Sequence, residues 1–281
     1  MHASVEWIAS HALLLCALLI LLAVVVGDSA WRSCARRRRH VAQGAHPHVG
    51  LRWRTFALLF TAMLLLFGGL ALAIDPPHPG KLASFDAALA ESLHTHLPLS
   101  ALRWSSALTH LGDLLWLGSL AALIALVLLL RRHWQVAGVW VLALAGMVPI
   151  NGALKAVFRR ARPLHGHGVI VAHGWSFPSG HAFSAVVFYG MLAYVLLRLL
   201  PLRFHRMVIA IAAICAALIG FSRILLQVHY VSDVLAGFAG GAAWLLVCIS
   251  MAEHLRTQPP RTTPRSPDDA ACQCTDPTDR E

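Results

Sequence analysis

The segment SFPSGHAFSAVVFYGMLAYVLL, residues 176–197, joins a short polar motif to a long apolar run and decides the fold class. From residue 182 to residue 200 the only charged residue is Arg198. A run of about 20 apolar residues can cross a bilayer core as a helix, and helices satisfy their own backbone hydrogen bonds in lipid. The segment therefore predicts a transmembrane helix with an ionisable residue, His181, at its N-terminal end.

Runs of this kind recur along the whole chain. The chain has 281 residues, of which 58% are hydrophobic and only 13% are charged, whereas about a quarter of a soluble domain is charged. The first run has no basic segment before it and no evident cleavage site, so we interpret it as a span rather than a signal peptide. The predicted fold class is all-α, a polytopic transmembrane helix bundle with apolar runs at 8–26, 56–74, 114–130, 135–154, 182–200, 207–221 and 231–251.

The positive charge lies mainly between the apolar runs. The formal net charge is +10, and seven arginines fall in the connection 27–55, while 75–113 holds only Lys81 and Arg103 against four acidic residues. Lys and Arg favour the cytoplasmic side, so the basic connections predict an N-terminus outside and a C-terminus inside. The same distribution makes a lipid bilayer, and not nucleic acid, the expected partner.

One connection departs from this topology. Segment 155–181 is predicted to lie outside, yet it carries Lys155, Arg159, Arg160 and Arg162 and no acidic residue. The preference of positive charge for the inside is a bias, and functional charge can override it. We therefore expect a bound ligand to supply the counter-charge of this basic cluster.

Three polar clusters interrupt the apolar pattern. They are KAVFRRARP at 155–163, PSGH at 178–181 and SRILLQVHYVSD at 222–233. The first two share one connection between helices, and the third lies in the next connection but one. Because each helix crosses the membrane once, all three clusters are predicted on the same side of it.

The residue types in these clusters suit a phosphate group. Lys155, Arg162 and Arg223 are cations whose convergence at a membrane edge would be costly without a polyanion, and arginine presents a fork that matches phosphate oxygens. Ser179 and Gly180 precede the predicted helix, whose free N–H groups and positive dipole end bind anions. Gly180 also lets the backbone approach a ligand closely.

A pair of residues in the third cluster suits nucleophilic chemistry. His229 and Asp233 are four apart, which puts them on one face of a helix. A carboxylate that accepts from one ring nitrogen fixes the tautomer and leaves the other nitrogen free to attack, as in a catalytic triad with histidine as the nucleophile. His181 is then available as the general acid that protonates the leaving alkoxide.

The three clusters together resemble the signature of the type-2 phosphatidic acid phosphatase superfamily, which includes lipid phosphate phosphatases and the soluble vanadium haloperoxidases. The pattern is Lys155-x6-Arg162-Pro163, then Pro178-Ser179-Gly180-His181, then Ser222-Arg223-x5-His229-x3-Asp233. The resemblance implies that no metal or other cofactor takes part. It also implies a role for each residue: phosphate binding for Lys155, Arg162, Ser179, Gly180 and Arg223, a phosphohistidine nucleophile in His229, its orientation by Asp233, and the acid in His181.

The resemblance also implies a domain organisation. Residues 55–254 would form the lipid phosphatase domain with a core of six helices. Residues 1–54 would add an extra transmembrane helix and a basic cytoplasmic loop, a departure from the usual members with six spans and both termini inside. The tail at 255–281 is rich in Pro, Thr, Asp and Arg, and we predict that it is disordered and cytoplasmic.

Two features leave alternatives open. The stretch 82–97 has apolar residues at helical spacing, which fits either an amphipathic helix on the outer membrane surface or a packed loop helix. His165, His167 and His173 lie in the connection that contains PSGH and are potential metal ligands. Because no carboxylate accompanies them, we favour the absence of a metal.

The predicted function is hydrolysis of a lipid phosphate monoester or pyrophosphate at the outer face of the cytoplasmic (inner) membrane. Candidate substrates include undecaprenyl pyrophosphate, phosphatidylglycerol phosphate and phosphatidic acid. An anionic-lipid transporter or flippase, or an inactive relative, would use the same cations for binding only, but a transporter gives no reason for the spacing of His229 and Asp233. A haloperoxidase is disfavoured because those enzymes are soluble and this chain is predicted to span a membrane.

Overall fold

The regular elements in the described part of the chain are helices. The computed structural model describes residues 2–18, 20–21, 25, 53–74, 80–163 and 172–257. The predicted all-α class is confirmed. The named helices are α1 (His2–Ser10), α2 (Trp53–Ala73), α3 (Lys81–His96), α4 (Leu99–Thr109), α5 (Leu114–Leu130), α6 (Trp134–Phe158), α7 (Gly180–Leu199), α8 (Leu202–Leu225) and α9 (Val231–Thr257), with a 3-10 turn at His110–Gly112.

Six stretches within these ranges are long and apolar enough to cross a membrane: α2, Leu99–Leu130, α6, α7, α8 and α9. They correspond to the second to seventh predicted runs, which confirms the membrane core of six helices. The first predicted run, 8–26, lies partly outside the described residues, although residues 8–10 and 12–18 are helical. That run as a span, and the domain boundaries at 54 and 255, stay predictions.

The core of the bundle lies around α7. This helix packs against α6, α8 and α9, and α5 packs against α6. Phe183, Phe188 and Met191 of α7 are fully buried, and Phe188 meets Trp140 of α6 edge to face at a centroid distance of 5.6 Å. In lipid such packing stabilises through van der Waals contact rather than through removal of apolar surface from water. Helix α7 is therefore held on several sides, and the PSGH cluster lies at its start.

Two glycines bring α9 close to the start of α7. A Cβ atom at Gly237 would lie 2.6 Å from the carbonyl oxygen of Ser179, and one at Gly241 would lie 2.8 Å from that of Phe183. Small residues four apart allow two helix backbones to approach in this way. The backbone N–H of Ser179 also donates to the carbonyl of Asp233 at 2.9 Å. These contacts join the starts of α7 and α9, which carry parts of two polar clusters.

Helix α3 packs against protein beside the connection between α8 and α9. Its Leu89 and Leu93 are buried in a cluster with Leu225 of α8 and with Val5 of α1. Of the two alternatives for the stretch 82–97, the packed loop helix is therefore the one observed. The same cluster puts α1 at the end of the bundle where α8 finishes.

Candidate active site

The three polar clusters meet at one end of the bundle, where α6 ends, α7 begins and α8 connects to α9. The N–H of Ser176 donates to the carbonyl of Arg160 at 2.8 Å, and Nη1 of Arg162 donates to the carbonyl of Val228 at 2.7 Å. The N–H of His229 contacts the carbonyl of Arg223 at 3.3 Å. One region is thereby surrounded by all the residues predicted for the site: Lys155, Arg162, Ser179, Gly180, His181, Arg223, His229 and Asp233.

The imidazole of His229 is buried, and its two nitrogens face different partners. Nδ1 lies 3.5 Å from Oδ2 of Asp233 and 3.4 Å from Oγ of Ser176, while Nε2 lies 3.2 Å from Nη1 of Arg162. Burial lowers the pKa of His229 to about 3, so the ring is neutral near pH 7. Because a carboxylate accepts on one side and a guanidinium donates on the other, the proton belongs on Nδ1 and the lone pair on Nε2.

Asp233 is fully buried in the first turn of α9 and is surrounded by donors. Its Oδ2 accepts from the backbone N–H of Tyr230 at 2.9 Å and from the hydroxyl of Ser176, and its Oδ1 accepts from Nη1 of Arg160 at 2.7 Å. Donors on several sides suit an ionised carboxylate, which has only acceptor sites. The group is therefore arranged to orient His229, as the carboxylate of a catalytic triad does.

Three cations line the same region without forming an ion pair with any described carboxylate. Arg162 and Lys155 donate to backbone carbonyls in the connection before α7, and Arg223 donates through Nη1 to Oγ1 of Thr109 at 2.8 Å. Carbonyl and hydroxyl oxygens orient these groups but do not neutralise them. Burial lowers the pKa of Arg162, which reflects the cost of holding a charge there. The region is therefore electropositive and suits a polyanion.

Buried donors without partners lie in the same region. The hydroxyl of Ser179, Nδ2 of Asn151 and Nε of Arg223 are buried and make no hydrogen bond within the described structure. An unsatisfied buried polar group costs about 1–3 kcal/mol. A Cβ atom at Gly180 would lie 3.1 Å from Oδ1 of Asn151, so glycine lets α7 begin close to α6. Donors that converge without an acceptor suit the oxygens of a phosphate.

His181 faces a more open side of the site. Its Nε2 lies 3.0 Å from Oδ1 of Asp113, whose Oδ2 lies 2.6 Å from Nδ1 of His110. Asp113 immediately precedes α5. Together with His110 and the exposed Leu115 and Trp116, it lines a cleft of about 730 Å³. A carboxylate beside the imidazole orients the ring, and the cleft next to it has a mainly apolar wall.

Arg160 corrects one expectation drawn from the sequence. We expected a ligand to neutralise the whole basic segment, but this is wrong for Arg160. Its Nη1 contacts Asp233 at 2.7 Å, and its Nη2 contacts Asp86 of α3 at 2.9 Å. Asp86 lies outside the three clusters and 74 positions before Arg160 in the chain. The charge of Arg160 is therefore neutralised within the protein.

Sequence reasoning missed several residues that touch the site. For two of them the sequence contains a feature that indicates a buried polar role. Asp86 lies four residues after Leu82 and three before Leu89, on the apolar stripe of the predicted helix, where a solvated carboxylate does not belong. Asn151 is a polar residue in an apolar run, one turn before Lys155. The missed residues are Asp86, Asp113, Asn151 and Ser176.

The donor set of the site suits an anion rather than a metal ion. Within the described ranges, no three His, Cys, Asp or Glu side chains converge in a metal-binding arrangement. Of the histidines considered for a metal, His165 and His167 lie outside the described residues. His173 is described, and its backbone carbonyl accepts from Nη2 of Arg162 at 3.0 Å.

Comparison with known proteins identifies similar phosphatases. The profile of the PAP2 superfamily matches residues 134–256. Phosphatidylglycerophosphatase B of Bacillus subtilis (strain 168) is 37% identical over 138 residues, which make up 48% of this chain and 66% of that protein. Lipid A 1-phosphatase of Rhizobium johnstonii is 36% identical over 103 residues, 34% of this chain and 38% of that protein. The alignments therefore span less than two thirds of the length of these relatives.

A solved structure extends the similarity to the fold. The crystal structure of a transmembrane PAP2-type phosphatidylglycerolphosphate phosphatase from Bacillus subtilis superposes with a TM-score of 0.65 at 30% sequence identity, covering 71% of this chain and 98% of that one. The region matched by the family profile contains every residue predicted for the site. Taken with the membrane helix bundle and the three-part motif, these similarities show that the chain belongs to the PAP2 superfamily.

Proposed function

We propose that this protein is a membrane phosphatase that hydrolyses a phosphate monoester or pyrophosphate of a lipid through a phosphohistidine intermediate and without a metal. The main support is the position of Lys155, Arg162 and Arg223, which lack a described carboxylate partner, around the neutral His229. An electropositive region around the Nε2 lone pair of a neutral imidazole suits attack on phosphorus. The names of the similar proteins, phosphatidylglycerophosphatase B and lipid A 1-phosphatase, support the same chemistry.

In the first step, Nε2 of His229 attacks the phosphorus and forms a P–N bond while the P–O bond to the leaving group breaks. Asp233 accepts from Nδ1–H and stabilises the positive charge that the ring acquires. His181 gives its proton to the leaving oxygen, so a monoester releases a neutral lipid alcohol and a pyrophosphate releases the lipid monophosphate.

The transferred phosphoryl group is held by cations and donors fixed in place before the reaction. Its three equatorial oxygens carry much of the charge in the transition state, so preorganised donors aimed at them lower the barrier. The groups proposed for this role are the side chains of Lys155, Asn151, Arg162, Ser179 and Arg223 and the backbone N–H of Gly180.

In the second step, water attacks the phosphorus of the phosphohistidine and the P–N bond breaks. His181, which lost its proton in the first step, accepts a proton from the attacking water and so returns to its starting form. Inorganic phosphate leaves, and His229 regains the neutral state with its lone pair on Nε2. Each turnover therefore consumes one lipid phosphate and one water molecule.

The open side beside His181 suits a lipid leaving group. An in-line displacement puts the leaving oxygen opposite the attacking nitrogen, where an acid must reach it. The cleft lined by Asp113, Leu115 and Trp116 combines a polar corner next to His181 with an apolar wall. Phosphatidylglycerol phosphate and lipid A 1-phosphate are the first substrates to test, because similar proteins are named for them, beside undecaprenyl pyrophosphate and phosphatidic acid.

We further propose that the site faces outward from the cytoplasmic membrane. The arginine-rich connection 27–55 favours the cytoplasm, and α1, which precedes it, packs against α3 at the end of the bundle that carries the site. A single cysteine in place of His173, in a chain without other cysteines, should react with an impermeant thiol reagent on intact cells. Reaction only after lysis would reverse this orientation.

Phosphate release from defined lipids tests the enzymatic function. Purified protein in detergent micelles with EDTA should release inorganic phosphate from at least one of the four lipids. Radiolabelled substrate should leave a label on the protein that is stable to base and labile to acid, as a phosphohistidine is. Lipid binding with neither phosphate release nor label would favour a transporter or an inactive relative. Activity that is lost in EDTA and restored by a divalent cation would contradict the metal-free mechanism.

A further inference from the structure

Arg160 forms a buried bridge between two carboxylates from different parts of the chain. Its Nη1 donates to Oδ1 of Asp233 at 2.7 Å, and its Nη2 donates to Oδ2 of Asp86 at 2.9 Å. Both carboxylate side chains are 0% exposed, and that of Arg160 is 13% exposed. The guanidinium carbon also lies 4.2 Å from the centre of the Tyr230 ring. The bridge is therefore shielded from water on most sides.

Such a bridge is better suited to fixing geometry than to adding stability. Taking charged groups out of water costs several kcal/mol per ion, so a buried ion pair is often no more stabilising than apolar residues of the same size. One oxygen of Asp233 is held by Arg160, while the other lies 3.5 Å from Nδ1 of His229. Holding Oδ1 restrains rotation of the carboxyl group. Together with the N–H of Tyr230 and the hydroxyl of Ser176, which donate to Oδ2, it keeps Oδ2 directed at His229.

Asp86 anchors the other end of the bridge. Its Oδ2 accepts from the hydroxyl of Ser232 as well as from Arg160, and its Oδ1 contacts the backbone N–H of Ser232 at 3.4 Å. Ser232 lies in the first turn of α9, directly before Asp233. Helix α3 therefore contacts the start of α9 both through the arginine and directly.

Arg160 and Arg162 lie two residues apart but face opposite sides of His229. Arg162 contacts Nε2, the nitrogen with the lone pair, at 3.2 Å. Arg160 lies on the Nδ1 side, beyond Asp233, and both of its terminal nitrogens contact carboxylates. A phosphate bound at Nε2 is therefore within reach of Arg162, while Arg160 acts through the carboxylate behind the ring.

We propose that Asp86 and Arg160 are positioning residues that align His229 for attack by holding Asp233. Helix α3, which lies outside the three polar clusters, thereby takes part in the reaction. This role rests on the proposed function, because alignment matters only if His229 is the nucleophile. Loss of the bridge should slow formation of the phosphohistidine and leave substrate binding, which depends on other groups, intact.

Kinetics of the full-length protein test this role. The variants are Arg160→Gln, Arg160→Lys and Asp86→Asn. Arg131→Gln is the matched control, because Arg131 is an exposed arginine that follows α5, at the opposite end of that helix from Asp113. Each is assayed in detergent micelles for kcat and KM on phosphatidylglycerol phosphate and phosphatidic acid, and for the rate of label formation in a single turnover. Inhibition by inorganic phosphate, the product, reports on ground-state binding separately from turnover.

Arg160→Gln is expected to lower kcat and the single-turnover rate about 100-fold, the order of loss that misalignment of a catalytic group causes. KM and the inhibition constant of inorganic phosphate should change by less than about threefold, because ground-state binding is not affected. Asp86→Asn should lower kcat about tenfold, as loss of an outer orienting partner does.

The double variant Asp86→Asn/Arg160→Gln should be no slower than Arg160→Gln, since the effects of residues in one network are not additive. Arg160→Lys should recover part of the rate, and Arg131→Gln should stay within about twofold of wild type.

Two results would overturn this role. One is a wild-type kcat in Arg160→Gln; the other is a rise in KM and in the phosphate inhibition constant as large as the fall in kcat/KM, since Arg160 would then bind the phosphate. If Arg160→Gln does not fold, Asp86→Asn, which keeps the size of the side chain and loses its charge, decides by the same criteria. A wild-type protein that forms no phosphohistidine would overturn the proposed function, and this role with it.

Discussion

The two histidines proposed for catalysis lie in contrasting surroundings. The side chain of His229 is 2% exposed and is enclosed by Asp233, Ser176 and Arg162. The side chain of His181 is 25% exposed and contacts Asp113, whose own side chain is 40% exposed. His229 therefore lies where helix starts are joined by direct hydrogen bonds, and His181 lies beside an open cleft.

This difference matches the two halves of a phosphoryl transfer. In the proposed mechanism the nucleophile meets the phosphate, which is the same group in every substrate, so rigid surroundings can hold it in the geometry of attack. The leaving group differs from one lipid to another, so the side that protonates it must admit molecules of different shape. We infer that the chemistry is determined on the His229 side and the range of substrates on the His181 side.

Removal of the buried histidine should have the largest effect. His229→Ala is expected to lower phosphate release by a factor of about 10⁴ or more, because the proposed attacking nitrogen is lost. The acid-labile label should disappear with it. His205→Ala is the matched control, since His205 is about as buried but lies at the other end of α8. Phosphate release and labelling measure both variants, and wild-type activity in His229→Ala would place the nucleophile elsewhere.

Loss of the carboxylate on the open side should have a smaller effect that depends on the leaving group. Asp113→Asn is expected to lower kcat/KM for a lipid phosphate about 100-fold, because the proposed acid, His181, would protonate a poor leaving group there. On p-nitrophenyl phosphate, whose leaving group needs little protonation, the loss should be less than about fivefold. Comparison of kcat/KM on the two substrates measures this dependence.

His110→Gln is the matched control for this comparison. His110 contacts the other oxygen of Asp113, but its side chain is 66% exposed and does not touch His181. Its loss should therefore change kcat/KM on either substrate by less than about threefold. If Asp113→Asn lowered kcat/KM equally on the lipid phosphate and on p-nitrophenyl phosphate, the assignment of the open side to the leaving group would be wrong.

The smallest expected effect concerns stability and tests how well the His229 side excludes water. The pKa of His229 is about 3 in the folded protein and about 6.5 when unfolded, so between these values the unfolded state binds a proton that the folded state does not. Stability should therefore fall as pH is lowered from 6.5 toward 3, by about 2 kcal/mol at pH 5. In His229→Gln this contribution is absent, so its Tm should fall less between pH 7 and pH 5. Identical pH dependence of Tm in the two proteins would show that His229 titrates as an exposed histidine does.

Most of the membrane core could be predicted because spanning a bilayer is a local property of a segment. The run predicted at 114–130 coincides with α5, and the run predicted at 231–251 begins where α9 begins. The run predicted at 207–221 ended four residues before α8 does. The reason is that the polar residues Ser222 and Arg223 indicate the end of a membrane span in the sequence. In the structure both are buried among other helices, and α8 continues through them.

The sequence by itself determined the helical membrane class, the family motif and the residue types that suit a phosphate and a nucleophile. These features depend on the apolarity of single segments and on spacings within one connection. They can therefore be recognised from residues that are close together in the chain. Only the tertiary structure decided which groups hold the predicted ones in place. Asp86 meets Arg160 across 74 positions and Asp113 meets His181 across 68, at distances set by how helices pack rather than by any local pattern. Because such contacts join separate segments, they become visible only when the helices are seen together.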